Sequence, residues 1–406
     1  KHQALAPMSR RCPSPASLLP ASPLDIDDLL REILARLPPR PSSLPRASLV
    51  CTRWHHLVSE PGLLRRLRAH HRKPPLLGVF SFCDGKYRFT ATRYPPDRIP
   101  ETRFSLPHEP CRTLQGCRHG LAVLLDRRRG QAIVWDPLTG HQRRVAFPLG
   151  SDNRPVKNVG NAAVLCGSSG SDGHVGGDGH LPPFRLAVVW IDDDITRAFA
   201  CLYESECGEW GNIVSTKTTD LVCFIRSAVL VRNSLCWHLT SDNILEFDFE
   251  RQSLVVIKQP SYARVINYAS CHVVRTGNGV LGLAILSELS ILIWEMNSNC
   301  HGVRRWMLRK TIQLEEQLSS LRPCTDRRRI IAASILGYDD DTNMIVLSTS
   351  VGHFMVQLES SQLRNVPRIG STHPMACYPY SNFYIPEEKN QRIPTLRSQG
   401  FAAGGN

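Results

Sequence analysis

The spacing of apolar residues changes once along the chain, close to Pro74. Before that point apolar residues recur every three or four positions, as they do along one side of a helix. The first such run has offsets of 0, 3, 4, 7, 8 and 11 and consists of Ile26, Leu29, Leu30, Ile33, Leu34 and Leu37. Asp25 is placed to cap this helix, and Pro38 and Pro39 end it. The stretch therefore predicts one amphipathic helix.

Two further helices are predicted before Pro74. The run SSLPRASLVCTRWHHLVSE reads as a single helix that is capped by Ser42 or Ser43 and has Pro45 in its first turn. The run PGLLRRLRAHHR predicts a third, shorter helix. Three helices in about 50 residues cannot bury all of these apolar stripes among themselves. An apolar face that stays exposed on such a unit indicates a partner helix or groove.

After Pro74 the pattern is that of an all-β domain. Short apolar runs alternate with turn signals such as DRRRG, DPLTG, DDD, TSDN and TGNG. The runs include LLGVFSF, HGLAVLL, QAIVW, FRLAVVW, SAVLV, ILEFDF, LSILIW and HFMVQLE. This alternation is typical of antiparallel strands that are joined by tight turns.

A repeat is visible in these strands, because an apolar run followed by an acidic residue occurs five times. The acids are Asp136, Glu204, Asp248, Glu295 and Glu359, at intervals of 68, 44, 47 and 64 residues. Intervals near 45 suit one four-stranded propeller blade. The two long intervals each contain a segment that we interpret as an insertion, 151–183 and 309–329. With the strands of PLLGVFSFCDGKYRFTATR added, the sequence predicts about six irregular blades.

The length of 406 residues favours two unequal domains. The predicted divisions are a disordered basic Pro/Ser-rich leader (1–21), a helical domain (22–72), a β-propeller-like domain (75–390) and a flexible tail (391–406). No window of the sequence supplies the roughly 18 consecutive apolar residues that a membrane span needs. We therefore expect no membrane partner.

The charge and the cysteine content indicate which partners and which cellular location to expect. The net charge is +13, but residues 1–75 hold 13 Lys and Arg against 5 Asp and Glu, which accounts for +8. A basic unit of this kind can contact an acidic protein as well as phosphate, so a nucleic-acid partner is not favoured. The 14 cysteines are scattered and form no CxxC pair. This pattern favours reduced cysteines and a location in the cytoplasm, the nucleus or both.

The helical segment resembles an F-box. It contains LLREIL, RLPP and LVCTRWHHLVSEP in the order and spacing of that family, although Asp25 stands where the family has proline and Pro41 and Pro45 are additional. The resemblance implies docking on the Skp-type adaptor of a cullin–RING ubiquitin ligase. Carried over position by position, the adaptor-binding residues would be Leu24, Leu29, Leu30, Ile33, Leu34, Leu37, Pro38, Leu44, Val50, Cys51 and Trp54. Some of these positions could equally be core residues of a small helical bundle, Ile33, Cys51 and Trp54 among them.

The β-rich segment resembles the F-box-associated β-propeller-like domain that is common in plants. GCRHGLAVLLD followed by IVWDPLTGHQRRV is similar to the first marked repeat of that family, and YPYSNFYIPE to its closing segment. Together the two resemblances cover about Leu24–Glu387. They imply a non-catalytic substrate-receptor subunit that binds the adaptor, and through it cullin, with one domain and an unknown target protein with the other.

Several motifs could carry chemistry, but we interpret them as structural. The segment Cys166–His180 offers two Asp and two His side chains, yet its glycine and serine content indicates a flexible insertion. The two Asp-Asp-Asp runs, at 192–194 and 339–341, read as acidic hairpin turns. Five tryptophans are candidate exposed anchors, although blade packing is the expected role of most: Trp135, Trp210, Trp237, Trp294 and Trp306. We predict no catalytic residue, metal or cofactor.

Two other functions stay open at this point. The chain could be a β-propeller enzyme or carbohydrate-binding protein with accessory helices, and carboxylates and histidines that converge at one mouth of the propeller would favour this. It could also be a basic nucleic-acid-associated protein, which a continuous Arg/Lys stripe over the propeller would favour.

Overall fold

The computed structural model of the chain describes residues 22–83, 85–104, 112–150, 152–166, 181–241, 243–260, 270–277, 279–298, 303–319, 333–370 and 375–384. The predicted leader and tail, and most of the glycine-rich segment 166–180, lie outside these residues. The disorder of the leader and the flexibility of the tail therefore stay predictions.

Among the described residues, four helices form the first domain and a fifth lies in the second. They are α1 (Asp27–Ala35), α2 (Ser43–Ser48), α3 (Thr52–Ser59), α4 (Pro61–His71) and α5 (Glu315–Ser319). Short 3-10 turns lie at Pro23–Asp25, just before α1, and at Glu101–Phe104 in the second domain. None of the described helices has the length and apolar character that a bilayer span requires.

The second domain consists of 24 described strands in six sheets. In chain order they are β1 (Leu76–Cys83), β2 (Lys86–Ala91), β3 (Arg112–Arg118), β4 (Leu121–Asp126), β5 (Gln131–Trp135), β6 (Gln142–Ala146), β7 (Val159–Cys166), β8 (Phe184–Ile191), β9 (Arg197–Glu204), β10 (Glu209–Trp210), β11 (Val214–Lys217), β12 (Val229–Val231), β13 (Ser234–His238), β14 (Ile244–Asp248), β15 (Ser253–Ile257), β16 (Cys271–Arg275), β17 (Leu281–Ser287), β18 (Ser290–Ser298), β19 (Arg304–Gln313), β20 (Ala333–Asp339), β21 (Met344–Thr349), β22 (Gly352–Gln357), β23 (Leu363–Val366) and β24 (Cys377–Ser381).

The six sheets are the blades of a propeller, which confirms the predicted fold class. Blade 1 is β3–β6, blade 2 is β7–β11, blade 3 is β12–β15, blade 4 is β16–β19 and blade 5 is β20–β23, all antiparallel. The closing blade joins β1 and β2 to β24 from the other end of the domain, with Phe80 opposite Tyr378. The first strand of each numbered blade and β24 lie innermost, since contacts link them in succession from β7 through β3, β24, β20 and β16 to β12. Apolar side chains fill the space between neighbouring blades, as Leu125 and Val134 of blade 1 do against Leu186 of blade 2.

The five acids of the sequence repeat occupy equivalent places in successive blades. Each lies at or near the end of the third strand, namely β5, β9, β14, β18 or β22. The carboxylate of Asp136 accepts a hydrogen bond from the backbone N–H of Leu138 at 2.9 Å, and that of Asp248 accepts one from the N–H of Arg251 at 2.9 Å. At these two positions the acid stabilises the turn into the fourth strand, which explains why it recurs.

Two sequence interpretations of the propeller are corrected by the strand bounds. The segment 151–183 is not wholly an insertion, because Val159–Cys166 is β7, the inner strand of blade 2. The segment 309–329 begins inside β19 and includes α5. In both cases polar or glycine-rich neighbours concealed regular structure.

The helical domain also differs from the prediction in two details. The second predicted helix is two helices, because Leu49 and Val50 donate hydrogen bonds only three residues back, to Arg46 and Ala47, and this tightening ends α2. Asp25 does not cap α1. It lies in the preceding 3-10 turn, where its carboxylate accepts from the N–H of Ser22, and Ile26 takes the cap position.

Candidate functional site

Helix α1 presents apolar residues on two of its sides. Leu30 and Leu34 face inward and are fully buried in the helical core. Leu29 and Ile33 face outward and are 45% and 36% exposed. Ile26, one turn before Leu29, is also exposed. The stripe that appears continuous in the sequence is therefore divided between a core-facing row and an outer row that no described residue covers.

Two ion pairs tie α1 to the helices behind it and so position its outer row. The guanidinium of Arg53 in α3 donates to the carboxylate of Asp27 at 2.8 Å and to the carbonyl of Leu24 at 2.9 Å. The guanidinium of Arg31 donates two hydrogen bonds to the carboxylate of Glu60, the residue just before α4, at 2.8 and 3.0 Å. These bonds lower the pKa of Glu60. Arg31 also pairs with Asp28 one turn earlier at 3.0 Å.

A second exposed apolar segment lies between α2 and α3. Leu49 is 70% exposed, and Val50 and Cys51 are exposed beside it. Arg53, two residues after Cys51, bonds to the first turn of α1, so this segment lies at the same end of the domain as Leu24. Leu24 is itself exposed. We call Leu24, Ile26, Leu29, Ile33, Leu49, Val50 and Cys51 together the outer apolar face.

The eleven sequence-predicted contact residues fall into three groups by exposure. Exposed residues are Leu24, Leu29, Ile33, Pro38, Val50 and Cys51, and partly buried ones are Leu37 and Trp54. Leu30, Leu34 and Leu44 are buried in the core, so we correct their assignment from contact residues to residues that support the outer apolar face from behind. Sequence reasoning missed Ile26 and Leu49 as contact candidates, although Ile26 begins the predicted stripe and Leu49 precedes the Val-Cys pair.

The helical domain shares its core with the propeller. Phe383, just after β24, is buried in the same cluster as Leu30, Leu34 and Leu63. The hydroxyl of Ser42 donates to the carboxylate of Asp97 in the propeller domain at 2.6 Å. Because the buried Phe383 side chain and the Ser42–Asp97 hydrogen bond both join the two domains, the outer apolar face has a defined orientation relative to the blades.

We expect Phe383→Ala to loosen the helical domain selectively. Removing a buried phenyl ring typically costs about 3–5 kcal/mol. Hydrogen exchange of the amides in α1 and α4 should accelerate strongly, while exchange in the blades changes little. Phe82→Ala is the matched control because the Phe82 ring is half exposed. Equal protection of α1 in both variants would contradict the shared core.

A buried ion pair ties the inner strands of three blades together. The guanidinium of Arg118, at the end of β3, donates to the carboxylate of Asp340 at 2.9 and 2.7 Å and to the carbonyl of Ala228 at 2.7 Å. The same carboxylate accepts from the N–H of Leu230 at 3.2 Å. Burial alone pushes the pKa of Asp340 upward, but the charge and hydrogen bonds of Arg118 hold it below its ordinary value.

Two more carboxylates and a histidine surround this pair. Oxygen atoms of Asp339, Asp340 and Asp341 lie within 4.8 Å of one another, and the ring of His119 lies 3.9 Å from Asp341. Burial and the neighbouring Asp340 charge raise the pKa of Asp341 to about 7, and burial with Arg118 lowers that of His119 to about 4. The Asp-Asp-Asp run is thus a turn, as predicted, but its first two residues are buried rather than solvated. Because Arg118 already neutralises Asp340, the three acids serve as a latch between blades rather than an open cation site.

The raised pKa of Asp341 leads to a pH prediction. An unfolded Asp titrates near 4, so between about pH 4 and 7 the folded chain holds a proton that the unfolded chain has released. The free energy of unfolding therefore falls as the pH rises from about 4 to 7, and the stability that this site contributes is fully lost once the pH has passed 7. We expect Asp341→Asn to match the parent at pH 4 and to be more stable at pH 8 in urea titrations. Asp194→Asn, at an exposed position, is the control. A parent chain that is as stable as Asp341→Asn at pH 8, or more stable, would contradict the assignment.

Four of the tryptophans proposed as candidate anchors contribute to the packing or hydrogen bonding of the blades. Trp135 and Trp237 are buried in the blades, as expected of most of the tryptophans. Trp210 and Trp306 are partly buried and donate their indole N–H to carbonyls of the preceding blade, at Ala146 and Lys258. The His and Asp side chains of the glycine-rich segment lie outside the described residues.

Comparison with known proteins assigns both domains. An F-box domain profile matches residues 27–66, and the profile described as "F-box protein AT5G49610-like, beta-propeller" matches residues 114–386, well over half of the chain. A search of curated proteins finds no match.

Two of the solved structures to which the chain is similar are distant in sequence. One is a protein from Lactobacillus plantarum, at 10% identity and a TM-score of 0.39 over 72% of this chain and 82% of that one. Another is the extracellular domain of BT4673 from B. thetaiotaomicron, at 10% identity and a TM-score of 0.33 over 72% of this chain and 36% of that one. The assignment therefore depends on the two profiles and on the architecture that they match. The chain belongs to the F-box proteins that carry an AT5G49610-like β-propeller.

Proposed function

We propose that this protein is the substrate receptor of a Skp/cullin/F-box ubiquitin ligase and that it docks on the Skp-type adaptor through the outer apolar face. F-box domains generally bind such adaptors. The observation that carries the proposal is the outer row of α1. Leu29 and Ile33 stay exposed although the core behind them is complete, with Leu30 and Leu34 fully buried. Exposed apolar residues on a well-packed unit indicate a surface that is covered by a partner.

In this proposal the chain acts by proximity rather than by covalent chemistry. The adaptor and cullin hold one end, the propeller holds a target protein, and a separately recruited conjugating enzyme transfers ubiquitin. The shared core around Phe383 supports this role, since it fixes the direction of the propeller relative to the adaptor. A location in the cytoplasm, the nucleus or both is part of the same proposal.

Co-elution with a purified Skp-type adaptor tests the docking step. We expect the intact chain and the adaptor to leave a sizing column as a 1:1 complex, and the chain to co-elute with cullin only when the adaptor is present. Phe224→Asp, an exposed apolar position of the propeller, should bind as the parent does. Separate elution of a folded chain and a folded adaptor would contradict the proposal.

A propeller enzyme is the second candidate, and the cluster of titratable side chains around Arg118 favours it. Asp339, Asp341 and His119 converge there with shifted pKa values, as groups in catalytic sites often do. The hydrogen bonds that Asp339 and His119 make within the protein favour a structural role instead. The carboxylate of Asp339 accepts from the hydroxyls of Ser381 and Thr342, and the backbone N–H of Cys166 bonds to the His119 ring. Loss of a hydrolytic activity in Asp341→Asn, with folding intact, would restore this candidate.

A further inference from the structure

The outermost strand of blade 4 is unlike the outer strands of the other numbered blades. β19 has 10 residues, whereas β6 and β15 have 5 each, β23 has 4 and β10 has 2. β19 pairs with β18 on one side, and no described strand pairs with it on the other. Met307 and Leu308 in its middle are 57% and 50% exposed. A long edge with exposed apolar residues can accept an additional strand.

Contacts at the two ends of β19 show which side each residue faces. Arg304 pairs with Glu246 of blade 3 at 2.6 Å, and the indole of Trp306 donates to Lys258, which follows blade 3. Since side chains alternate along a strand, Leu308 shares this side, and Arg305 and Met307 face blade 5. The ammonium of Lys310 bonds to carbonyl oxygens just after β22 of blade 5. The register shift beside Trp294 leaves Arg309 as the extra residue of a bulge.

A cavity flanks the strand on each side. The one between blades 3 and 4 has about 450 Å³ and includes Arg304 and Met296 in its lining. The one between blades 4 and 5 has about 230 Å³ and includes Arg309 and Ile293. A strand that is added to β19 would therefore have space for side chains on both of its faces.

The charge of the strand indicates what it would bind. β19 contains four Arg and Lys residues and no acid. Arg304 and Lys310 are engaged with blades 3 and 5, which leaves Arg305 and Arg309 exposed on either side of the apolar pair. Opposite charges placed across two strands stabilise their pairing. An incoming segment with acids that face these two arginines meets this requirement.

We propose that β19 is the target-binding edge of this receptor and that it takes up an extended segment of a partner protein by strand addition. The segment has apolar residues opposite Met307 and Leu308, flanked by Asp or Glu about four positions apart. This proposal rests on the receptor function proposed above and supplies its target class. Nucleic acid fits less well, because a phosphate at every nucleotide would also approach acids of the two cavities such as Glu246 and Glu295. A peptide avoids this repulsion by carrying acids only opposite Arg305 and Arg309.

Selection from a displayed library of random peptides of about ten residues, on the full chain, tests the proposal. We expect enriched peptides to carry paired acids around an apolar centre. Arg305→Glu with Arg309→Glu should weaken them at least about tenfold, and Met307→Asp should do the same. Arg364→Glu, at an exposed cation on the outer strand of blade 5, is the matched control and should change affinity less than about twofold. Methylation of alternate backbone amides of a selected peptide should also abolish binding, because strand addition uses main-chain hydrogen bonds.

Several results would overturn β19 as the target-binding edge. Enriched peptides without acids, or acidic peptides that bind the double variant as tightly as the parent, would overturn the proposal. So would a single-stranded DNA oligonucleotide that displaces the peptides and loses its own binding in the double variant, or self-association of the chain that Met307→Asp abolishes. Adaptor binding is measured on the same samples. A chain that binds the adaptor but selects no peptide would overturn the target edge and leave the docking function standing, and the reverse would overturn docking alone.

Discussion

Replacing Arg118 with leucine is expected to cost the propeller about 3–5 kcal/mol, the typical loss when one partner of a buried ion pair is removed. Arg118 and Asp340 are both buried, and the guanidinium also bonds to carbonyls of blades 2 and 3. The variant leaves a buried carboxylate without its cation and two carbonyls without a donor. The urea midpoint should therefore fall sharply, with the slope of the transition unchanged.

Two further variants separate the ion pair from simple truncation. Arg128→Leu removes an exposed arginine from the turn after β4 and should change stability by less than about 0.5 kcal/mol. The double variant Arg118→Leu with Asp340→Leu should be more stable than Arg118→Leu alone, because no uncompensated charge stays buried. A double variant that loses the full sum of the single losses would contradict a direct coupling between the two side chains.

Leu29→Asp combined with Ile33→Asp is expected to weaken adaptor binding at least about 100-fold, which corresponds to roughly 3 kcal/mol. The reason is that two carboxylates would be desolvated in an apolar contact. Both side chains are partly exposed in the chain alone, so the helical domain should stay folded. Affinity is measured by titration calorimetry, and helix content by circular dichroism.

The neighbouring residue provides the control for this variant. Leu30→Asp places a carboxylate in a fully buried position and should unfold the helical domain, whereas Leu29→Asp should not. This pair of variants, one residue apart, distinguishes the core-facing row from the outer row. Undiminished adaptor binding by the Leu29/Ile33 variant would remove the outer row from the docking surface.

The helical periodicity of α1 predicted the element but not the division of its apolar residues. Offsets of three and four place Leu29 and Leu30 on one broad stripe, and the pattern contains no information on which of them meets the rest of the protein. That choice is made by the packing of α1 against the other helices and against Phe383, which comes from the far end of the chain and joins the core on the Leu30 side. A tertiary contact of this range cannot be inferred from local spacing.

In the propeller, the acids predicted the blade number because they recur near the end of the third strand in successive blades. In two of these blades the acid makes the same side-chain bond in the turn that follows. The inner strand β7 was missed because glycine-rich sequence follows it directly. The latch around Arg118 was missed for another reason. Its members come from β3, β12 and the end of β20, and only closure of the ring brings them together.

Hydrogen exchange of the full chain with and without a Skp-type adaptor tests the central claim most directly, because it locates the contact as well as detecting it. The proposed function predicts slower exchange in residues 24–36 and 47–54, which carry the outer apolar face, and little change in the strands of blade 4. Protection that is absent from α1, or that appears in the propeller instead, would contradict docking through this face.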